Sequence, residues 1–125
     1  MTKNRKVLLD ILIEEKLPLN ASQIHNKSVG NFDLATVYRG LTYLEENKYV
    51  SSFVFDCRER GVERYYTVKK DNHEHFMHCE YCHKFIVLDD CPMNHSLKEI
   101  ETDYGFVIDE HFLTLKGVCR ECSKS

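Results

Sequence analysis

Two Cys-x-x-Cys pairs constrain the fold of this 125-residue chain more than any other feature. The first pair is Cys79 and Cys82, and the second is Cys119 and Cys122. Together they supply the four thiolates of a tetrahedral zinc site, whereas a redox dithiol would follow a βαβ pattern that precedes neither pair. A domain of roughly 55 residues is near the lower size limit for folding without a metal or disulfide. We therefore predict that structural Zn²⁺ joins the two ends of a small domain.

Composition and patterning indicate a folded protein inside the cell. Hydrophobic residues make up 42% of the chain, which is enough to form a core. No apolar run reaches about 18 residues, the length that a membrane span needs. The N-terminal sequence MTKNRKVLLDILIEEK is interrupted by acidic residues and is not typical of a secretion signal. We therefore expect a cytoplasmic protein with no membrane partner. In the cytoplasm, paired cysteines more often bind metal than form disulfides.

The charge balance differs between the two parts of the chain. Residues 1–70 carry 12 Lys and Arg against 9 Asp and Glu, a net charge of +3. Residues 71–125 carry 5 against 11, a net charge of −6. The basic part could contact a polyanion that the acidic part would avoid. We place a domain boundary after Lys70.

Residues 1–70 show three helical patterns followed by two strand patterns. The predicted elements are helices over residues 3–16, 21–26 and 34–47 and strands over residues 49–55 and 62–68. Thr2, Asn20 and Asp33 precede the helices as N-cap residues. The third helix has an apolar stripe, formed by Leu34, Val37, Leu41 and Leu44. This order of elements predicts a winged helix-turn-helix.

Residues 71–125 predict a different architecture. A strand over 84–88, a helix over 93–104 and a long strand over 106–116 lie between the cysteine pairs. The fold class is therefore α+β, with a winged helix at 1–70 and a small zinc-binding α/β domain at 71–125.

The third helix carries the motif LATVYRGLTYL, and a hairpin, a histidine cluster and the paired Cys-x-x-Cys motifs follow it. In this order the motifs resemble the ferric uptake regulator (Fur) family of metal-dependent bacterial repressors, over nearly the whole chain. The resemblance implies a homodimer with an N-terminal winged helix and a C-terminal dimerisation domain. It also implies binding to double-stranded operator DNA when a regulatory metal or an oxidation state permits, with no small-molecule substrate.

Four residues are candidates for DNA contact. Thr36, Tyr38 and Arg39 fall off the apolar stripe of the third helix, where side chains can reach phosphates and base edges. In the resemblance, Tyr38 and Arg39 match the family's DNA-contacting Tyr-Arg pair, and Arg5 matches a basic residue near the start of the first helix. The alternative is that these are ordinary solvated side chains.

The regulatory metal site admits two alignments with the family, because the stretch HEHFMH at 73–78 is one residue longer than the family pattern. Without a gap, His73 and His75 replace a His-x-Asp pair of the sensor-domain site, and His111 matches its later histidine. With a gap, they match histidines of an interdomain site. The positions of two other ligands of that site hold Pro18 and either Tyr66 or Thr67. We therefore favour the ungapped alignment.

His73 and His75 lie on one face of an extended segment and form a three-nitrogen set with His111. A further ligand could be His95, Asn94, Glu74 or water. Such a site suits a second divalent metal, and the ligands do not distinguish Zn²⁺, Fe²⁺, Ni²⁺, Co²⁺ and Mn²⁺.

The leading hypothesis is a metal-responsive DNA-binding transcriptional regulator, a repressor that controls metal-uptake or stress genes. The alternative is a peroxide- or thiol-sensing regulator of the same fold, acting through Cys57, Cys91 or the zinc-bound thiolates. A hydrolytic zinc enzyme using the three histidines is disfavoured, because no general base is evident and a recognition helix has no role in it. We expect no enzymatic activity and assign no catalytic residue.

Overall fold

A computed structural model describes residues 1–28, 32–70 and 74–124. The chain divides into two compact units, Met1–Lys69 and Lys70–Ser125, which are described separately. The predicted metal ligand His73 lies outside the described residues. Among the residues that are described, no helix has the length and apolar character needed to cross a membrane.

The first unit is a winged helix, as predicted. Its elements are α1 (Lys3–Glu15), β1 (Leu19–Asn20), α2 (Ala21–Lys27), α3 (Leu34–Glu46), β2 (Val50–Cys57) and β3 (Gly61–Val68). The three strands form an antiparallel sheet in the order β1-β3-β2. The hairpin of β2 and β3 is the wing, and the turn that joins these strands carries Arg58 and Arg60.

Each of the three predicted N-caps is confirmed. The Thr2 hydroxyl accepts a hydrogen bond from the Arg5 backbone N–H at 3.3 Å. Asn20 forms a reciprocal capping box with Gln23, and the Asp33 carboxylate accepts from the Thr36 N–H at 2.8 Å. Each side chain thus pairs a backbone donor that the helix itself leaves unsatisfied. Hydrogen bonds from Thr36 lower the pKa of the Asp33 carboxyl, so this cap persists until the pH falls through that lowered pKa.

The core of the first unit lies between the helices and one face of the sheet. Its buried residues are Leu8, Leu12, Leu19, Ala21, Ile24, Val37, Leu41, Leu44, Val50 and Tyr66. Leu34 was predicted to belong to the apolar stripe, and that prediction is wrong. Its side chain is 38% exposed because it occupies the first turn of α3, beyond the part of the helix that packs against the core.

The second unit is a small α/β domain. Its elements are β4 (His75–Cys79), β5 (Phe85–Leu88), α4 (Asn94–Tyr104), β6 (Thr114–Gly117) and α5 (Arg120–Ser123). The sheet order is β5-β4-β6, with β4 antiparallel to β5 and parallel to β6. The parallel register pairs Cys79 with Gly117, so the second Cys-x-x-Cys motif begins beside the first.

The predicted long strand over 106–116 is wrong, because only Thr114–Gly117 forms a strand. Residues 106–113 have no regular secondary structure, although their apolar content is typical of a strand. The side chains of Phe106, Val107 and Phe112 are 62%, 80% and 79% exposed. These residues therefore do not supply a core face to the sheet of their own chain.

Candidate metal centres and DNA-binding surface

The four cysteines of the two Cys-x-x-Cys motifs form one cluster in the second unit. Their sulfur atoms all lie within 4.8 Å of one another, and the Cys82 and Cys119 sulfurs are 3.8 Å apart. Four sulfurs at about 2.3 Å from a tetrahedral Zn²⁺ are separated by about 3.8 Å. The donor set and its spacing therefore fit a structural zinc ion.

Backbone hydrogen bonds prepare this cluster for a cation. The Cys79 sulfur accepts the backbone N–H groups of Cys82 at 3.5 Å and of Cys119 at 3.3 Å. These bonds lower the pKa of the Cys79 thiol to about 5 and favour the thiolate that binds metal. The pKa of the Cys122 thiol is raised to about 12, first by its hydrogen bond with the neighbouring Cys119 sulfur and second by desolvation. Several thiolates in one place are thus unfavourable without a positive charge among them.

A second cluster brings together His75, Cys91 and His111. Their ligand atoms also lie within 4.8 Å of one another. The Nε2 atom of His111 is 3.1 Å from His75 Nε2 and 3.2 Å from the Cys91 sulfur. His75 is buried at the start of β4, whereas Cys91 precedes α4, His111 precedes β6, and both are half-buried.

Two predicted ligands do not join this cluster. The side chain of His95 is 88% exposed, and its Nε2 lies 2.7 Å from Glu99 Oε1 on the same face of α4. The Oε2 atom of Glu74 lies 3.2 Å from Lys70 Nζ. The structure thus brings together two of the predicted histidines, His75 and His111, and places His95 and Glu74 in other contacts.

Cys91 was not among the predicted ligands, although the sequence contains a signal for it. The hairpin of β4 and β5 pairs His75 with Leu88, so the chain that follows Leu88 passes beside His75. Pairing the predicted strand over 84–88 with the extended segment that holds His75 would have placed the Asp90-Cys91-Pro92 break at the histidine site. From the sequence alone, Cys91 was a candidate only as a peroxide- or thiol-sensing residue.

The predicted DNA-binding residues of α3 lie on its outer face. Val37, Leu41 and Leu44 are fully buried, whereas Tyr38 is 48% exposed and Arg39 is also exposed. The Arg39 Nη2 group donates a hydrogen bond to the hydroxyl of the half-buried Thr36 at 3.0 Å. Part of the guanidinium is thereby oriented along the helix surface.

Arg5 on α1 lies against the same helix. Its guanidinium carbon is 3.7 Å from the centre of the Tyr43 ring, a cation–π contact. The contact leaves the positive charge in place while restricting the side chain. Arg5 therefore sits beside α3 rather than extending freely from α1.

Comparison with known proteins places these features in context. The model of the ferric uptake regulator family matches residues 1–116. The ferric uptake regulation protein of Campylobacter jejuni is 32% identical over an alignment of 129 positions, which covers 98% of this chain and 78% of that protein.

Two solved structures illustrate the similarity in fold. The Helicobacter pylori ferric uptake regulator, described with three functional metal-binding sites, has a TM-score of 0.82 and 23% identity, covering 100% of this chain and 83% of that one. The Campylobacter jejuni peroxide stress regulator has a TM-score of 0.72 and 20% identity, covering 95% and 88%. At these identities the likeness concerns the fold alone.

Proposed function

We propose, since the chain belongs to the ferric uptake regulator family, that it is a cytoplasmic homodimeric repressor of metal-uptake or stress genes. Members of this family are DNA-binding transcription factors rather than enzymes. The proposed repressor binds operator DNA when a divalent metal occupies the site of His75 and His111. The observation that most supports DNA binding is the outer face of α3. Tyr38 and Arg39 are exposed there, on a helix whose inner face is buried in the core.

The α3 surface has the chemistry needed to read a major groove. Arg39 can donate two hydrogen bonds to a guanine edge or contact a phosphate, and Tyr38 can contact a thymine methyl or a phosphate. Thr36 orients Arg39, and Arg5 adds positive charge beside the helix. The α3 helix would thus supply base contacts, with Arg5 contributing to phosphate binding.

The second unit carries an apolar surface suited to a second copy of the chain. No side chain of α4 is buried, although the helix is amphipathic. The exposed apolar residues of this unit include Ile100, Tyr104, Phe106, Val107, Phe112, Leu115 and Val118. A two-fold dimer would cover such a surface and would present two recognition helices to a palindromic operator.

The two metal centres have separate roles in this proposal. Cys79, Cys82, Cys119 and Cys122 would hold Zn²⁺ and stabilise the second unit. His75 and His111 would hold the regulatory metal, which supplies a positively charged crosslink between their imidazoles. His75 belongs to the sheet, whereas His111 precedes Phe112 in the irregular 106–113 segment. Holding both imidazoles at one point would restrain the segment that carries part of the proposed dimer surface.

The test begins with selection of binding sites from random duplex DNA in the presence of each divalent metal. Gel-shift titrations with the selected duplex then compare wild type, Tyr38→Ala, Arg39→Ala and the charge-matched control Arg120→Ala in α5. Loss of a base contact costs about 1–3 kcal/mol, so we expect the two α3 variants to bind about 5- to 150-fold more weakly than wild type. The control Arg120→Ala should bind as wild type does. Unchanged binding by both α3 variants would contradict the recognition-helix assignment.

A metal titration completes the test. Removing the weakly held metal should abolish binding to the selected duplex, and one particular metal should restore it. Retained binding in the metal-stripped protein would contradict metal control.

The peroxide-sensing alternative draws support from the half-buried Cys91 sulfur beside the histidines. Hydrogen peroxide should then abolish DNA binding at saturating metal, and a thiol reductant or replacement of Cys91 by Ser should prevent or reverse that loss. DNA binding that depends on metal but is insensitive to peroxide favours the metal-responsive function.

A further inference from the structure

The thiol of Cys91 lies beside the imidazoles of His75 and His111. We propose that Cys91 binds the regulatory metal through its sulfur, so that the site selects Zn²⁺ and Co²⁺ over Mn²⁺ more strongly than two imidazoles alone would. This inference rests on the proposed function, because it assigns a ligand and a metal class to the same site.

The convergence of three ligand atoms is the first argument. His111 Nε2 lies 3.1 Å from His75 Nε2 and 3.2 Å from the Cys91 sulfur. A neutral imidazole nitrogen carries either one hydrogen or one lone pair, so His111 Nε2 makes only one good hydrogen bond at a time. A cation that accepts a lone pair from each of the three atoms satisfies both close approaches together.

The distances fit a tetrahedral metal closely. With metal–nitrogen bonds of about 2.0–2.1 Å and metal–sulfur bonds of about 2.3 Å, adjacent ligands lie about 3.3–3.6 Å apart. The two measured separations of 3.1 and 3.2 Å are only a few tenths of an ångström shorter. These two separations therefore need only small adjustments to match the ligands of one tetrahedral ion.

The backbone determines the position of Cys91. The register of β4 and β5 ends with His75 opposite Leu88, and Cys91 follows Leu88 by three residues, before Pro92. Proline fixes its own φ angle and restricts the residue before it to extended backbone. The sulfur thus enters the site from a constrained break in the chain.

The charge near the site also favours a cation. Asp89 and Asp90 precede Cys91, and Asp109 and Glu110 precede His111. All four side chains are exposed, so they raise the local concentration of cations without filling the site.

The chemical consequence of the sulfur is a change in metal preference. Two imidazoles bind most first-row divalent metals, with Mn²⁺ the weakest. A thiolate is a soft ligand that adds more to the binding of Zn²⁺ or Co²⁺ than to the binding of the harder Mn²⁺. Replacing Cys91 by Ser should therefore reduce the discrimination between these metals while keeping a side chain of similar size.

The experiment uses the full chain with Zn²⁺ in the four-cysteine site, titrated with Co²⁺. In the wild type we expect a thiolate-to-cobalt charge-transfer band in the near ultraviolet, at one bound Co²⁺ per chain. Zinc content measured after the titration must stay at one per chain, which excludes exchange at the four-cysteine site. Cys91→Ser and His111→Ala should lose the band, whereas His95→Ala, which removes an exposed histidine from α4, should retain it.

Competition titrations measure the preference itself. The ratio of Zn²⁺ to Mn²⁺ affinities should fall at least tenfold in Cys91→Ser. Absence of the charge-transfer band in the wild type, or an unchanged affinity ratio in Cys91→Ser, overturns the assignment of Cys91.

These outcomes are distinguishable from those that test the proposed function. A site that binds Co²⁺ without a sulfur band but still controls DNA binding contradicts only the role of Cys91. A sulfur band accompanied by DNA binding that is indifferent to the metal supports the role of Cys91 and contradicts metal control of DNA binding.

Discussion

Lys16 ends α1 in a backbone conformation that suits glycine better than lysine. Its φ angle is 67°, in the left-handed region, and its N–H donates to the Leu12 carbonyl at 3.1 Å. The left-handed conformation costs a residue with a Cβ about 1–2 kcal/mol. The cap geometry is retained because it satisfies an otherwise unpaired carbonyl at the helix end.

Replacing Lys16 by Gly should therefore raise the free energy of unfolding of the first unit by about 1 kcal/mol. Glycine adopts this φ angle without backbone strain, and the lysine side chain that is lost is exposed. The measurement is denaturant unfolding followed by circular dichroism. Lys6→Gly is the matched control, because Lys6 is an exposed residue within the same helix. There the same substitution should lower stability by about 1 kcal/mol. The same sign for both variants would contradict the argument.

Gly40 permits the close approach of α3 to α1. A Cβ atom at this position would lie 2.5 Å from Leu8 Cδ1, which is buried in the core. Overpacking of a core costs about 1–3 kcal/mol, whereas alanine improves helix propensity by about 1 kcal/mol. Gly40→Ala should therefore lower the free energy of unfolding by about 1 kcal/mol.

A double-mutant cycle with Leu8→Ala tests this explanation. Removing the Leu8 side chain eliminates the overlap, so Gly40→Ala should become neutral or stabilising in that background. An equal destabilisation in both backgrounds would show that the contact with Leu8 is not the cause.

Secondary-structure elements differ in how much of their structure the sequence specifies. The three N-terminal helices and the β2–β3 hairpin follow local signals, which are cap residues, apolar periodicity and a turn. In contrast, β1 contains only Leu19 and Asn20 and exists because Tyr66 and Tyr65 of β3 pair with them. A strand of two residues is too short to show the alternating pattern from which strands are predicted.

The metal clusters show the same division between local and long-range information. The spacing of the four cysteines predicts a ligand set because each pair is a local chelate. Cys91 joins His75 and His111 only through the pairing of β4 with β5. The spacing of residues along the sequence does not predict this long-range pairing. Likewise, the apolar residues of 106–113 predict a strand because local patterns do not tell a sheet face from an exposed apolar surface.

The four-cysteine cluster connects the ends of the second unit, so removing its metal should unfold that unit selectively. No side chain of α4 is buried, and the sheet of β4, β5 and β6 is small. Hydrogen-exchange protection should disappear from these strands after chelation or in Cys79→Ser and should remain in α1 and α3. Tyr81→Ala, an exposed substitution between Cys79 and Cys82, is the control. Protection of β4–β6 in the metal-free protein would contradict a structural role for the metal.

At the scale of the whole molecule, the net charge has opposite signs in the two parts of the chain. The basic part, residues 1–70, contains the proposed DNA contacts, and the acidic part, residues 71–125, contains the exposed apolar side chains of the proposed dimer surface. The net negative charge of residues 71–125 would repel phosphate from the proposed dimer surface. Each unit thus presents a surface that suits one kind of partner.

Phe112→Glu should convert the proposed homodimer to a monomer, because it places a charge in the proposed dimer surface. Sedimentation velocity measures the change, and affinity for the selected operator should fall at least tenfold because only one winged helix then binds at a time. Tyr49→Glu, an exposed aromatic of the first unit, is the control for oligomeric state. A dimeric Phe112→Glu protein would place the interface elsewhere.

The parallel pairing of β4 with β6 also determines when the second unit can form during synthesis. Cys119 lies 40 residues after Cys79, yet its backbone N–H donates to the Cys79 sulfur. The first unit contains its whole core and can fold as it leaves the ribosome, whereas the four-cysteine site requires the sequence beyond Val118. A nascent chain interrupted in α4 would thus display a folded α3, which carries the proposed DNA contacts, but would lack both His111 and the second cysteine pair. Translation time would thereby separate the proposed ability to contact DNA from the proposed ability to respond to metal.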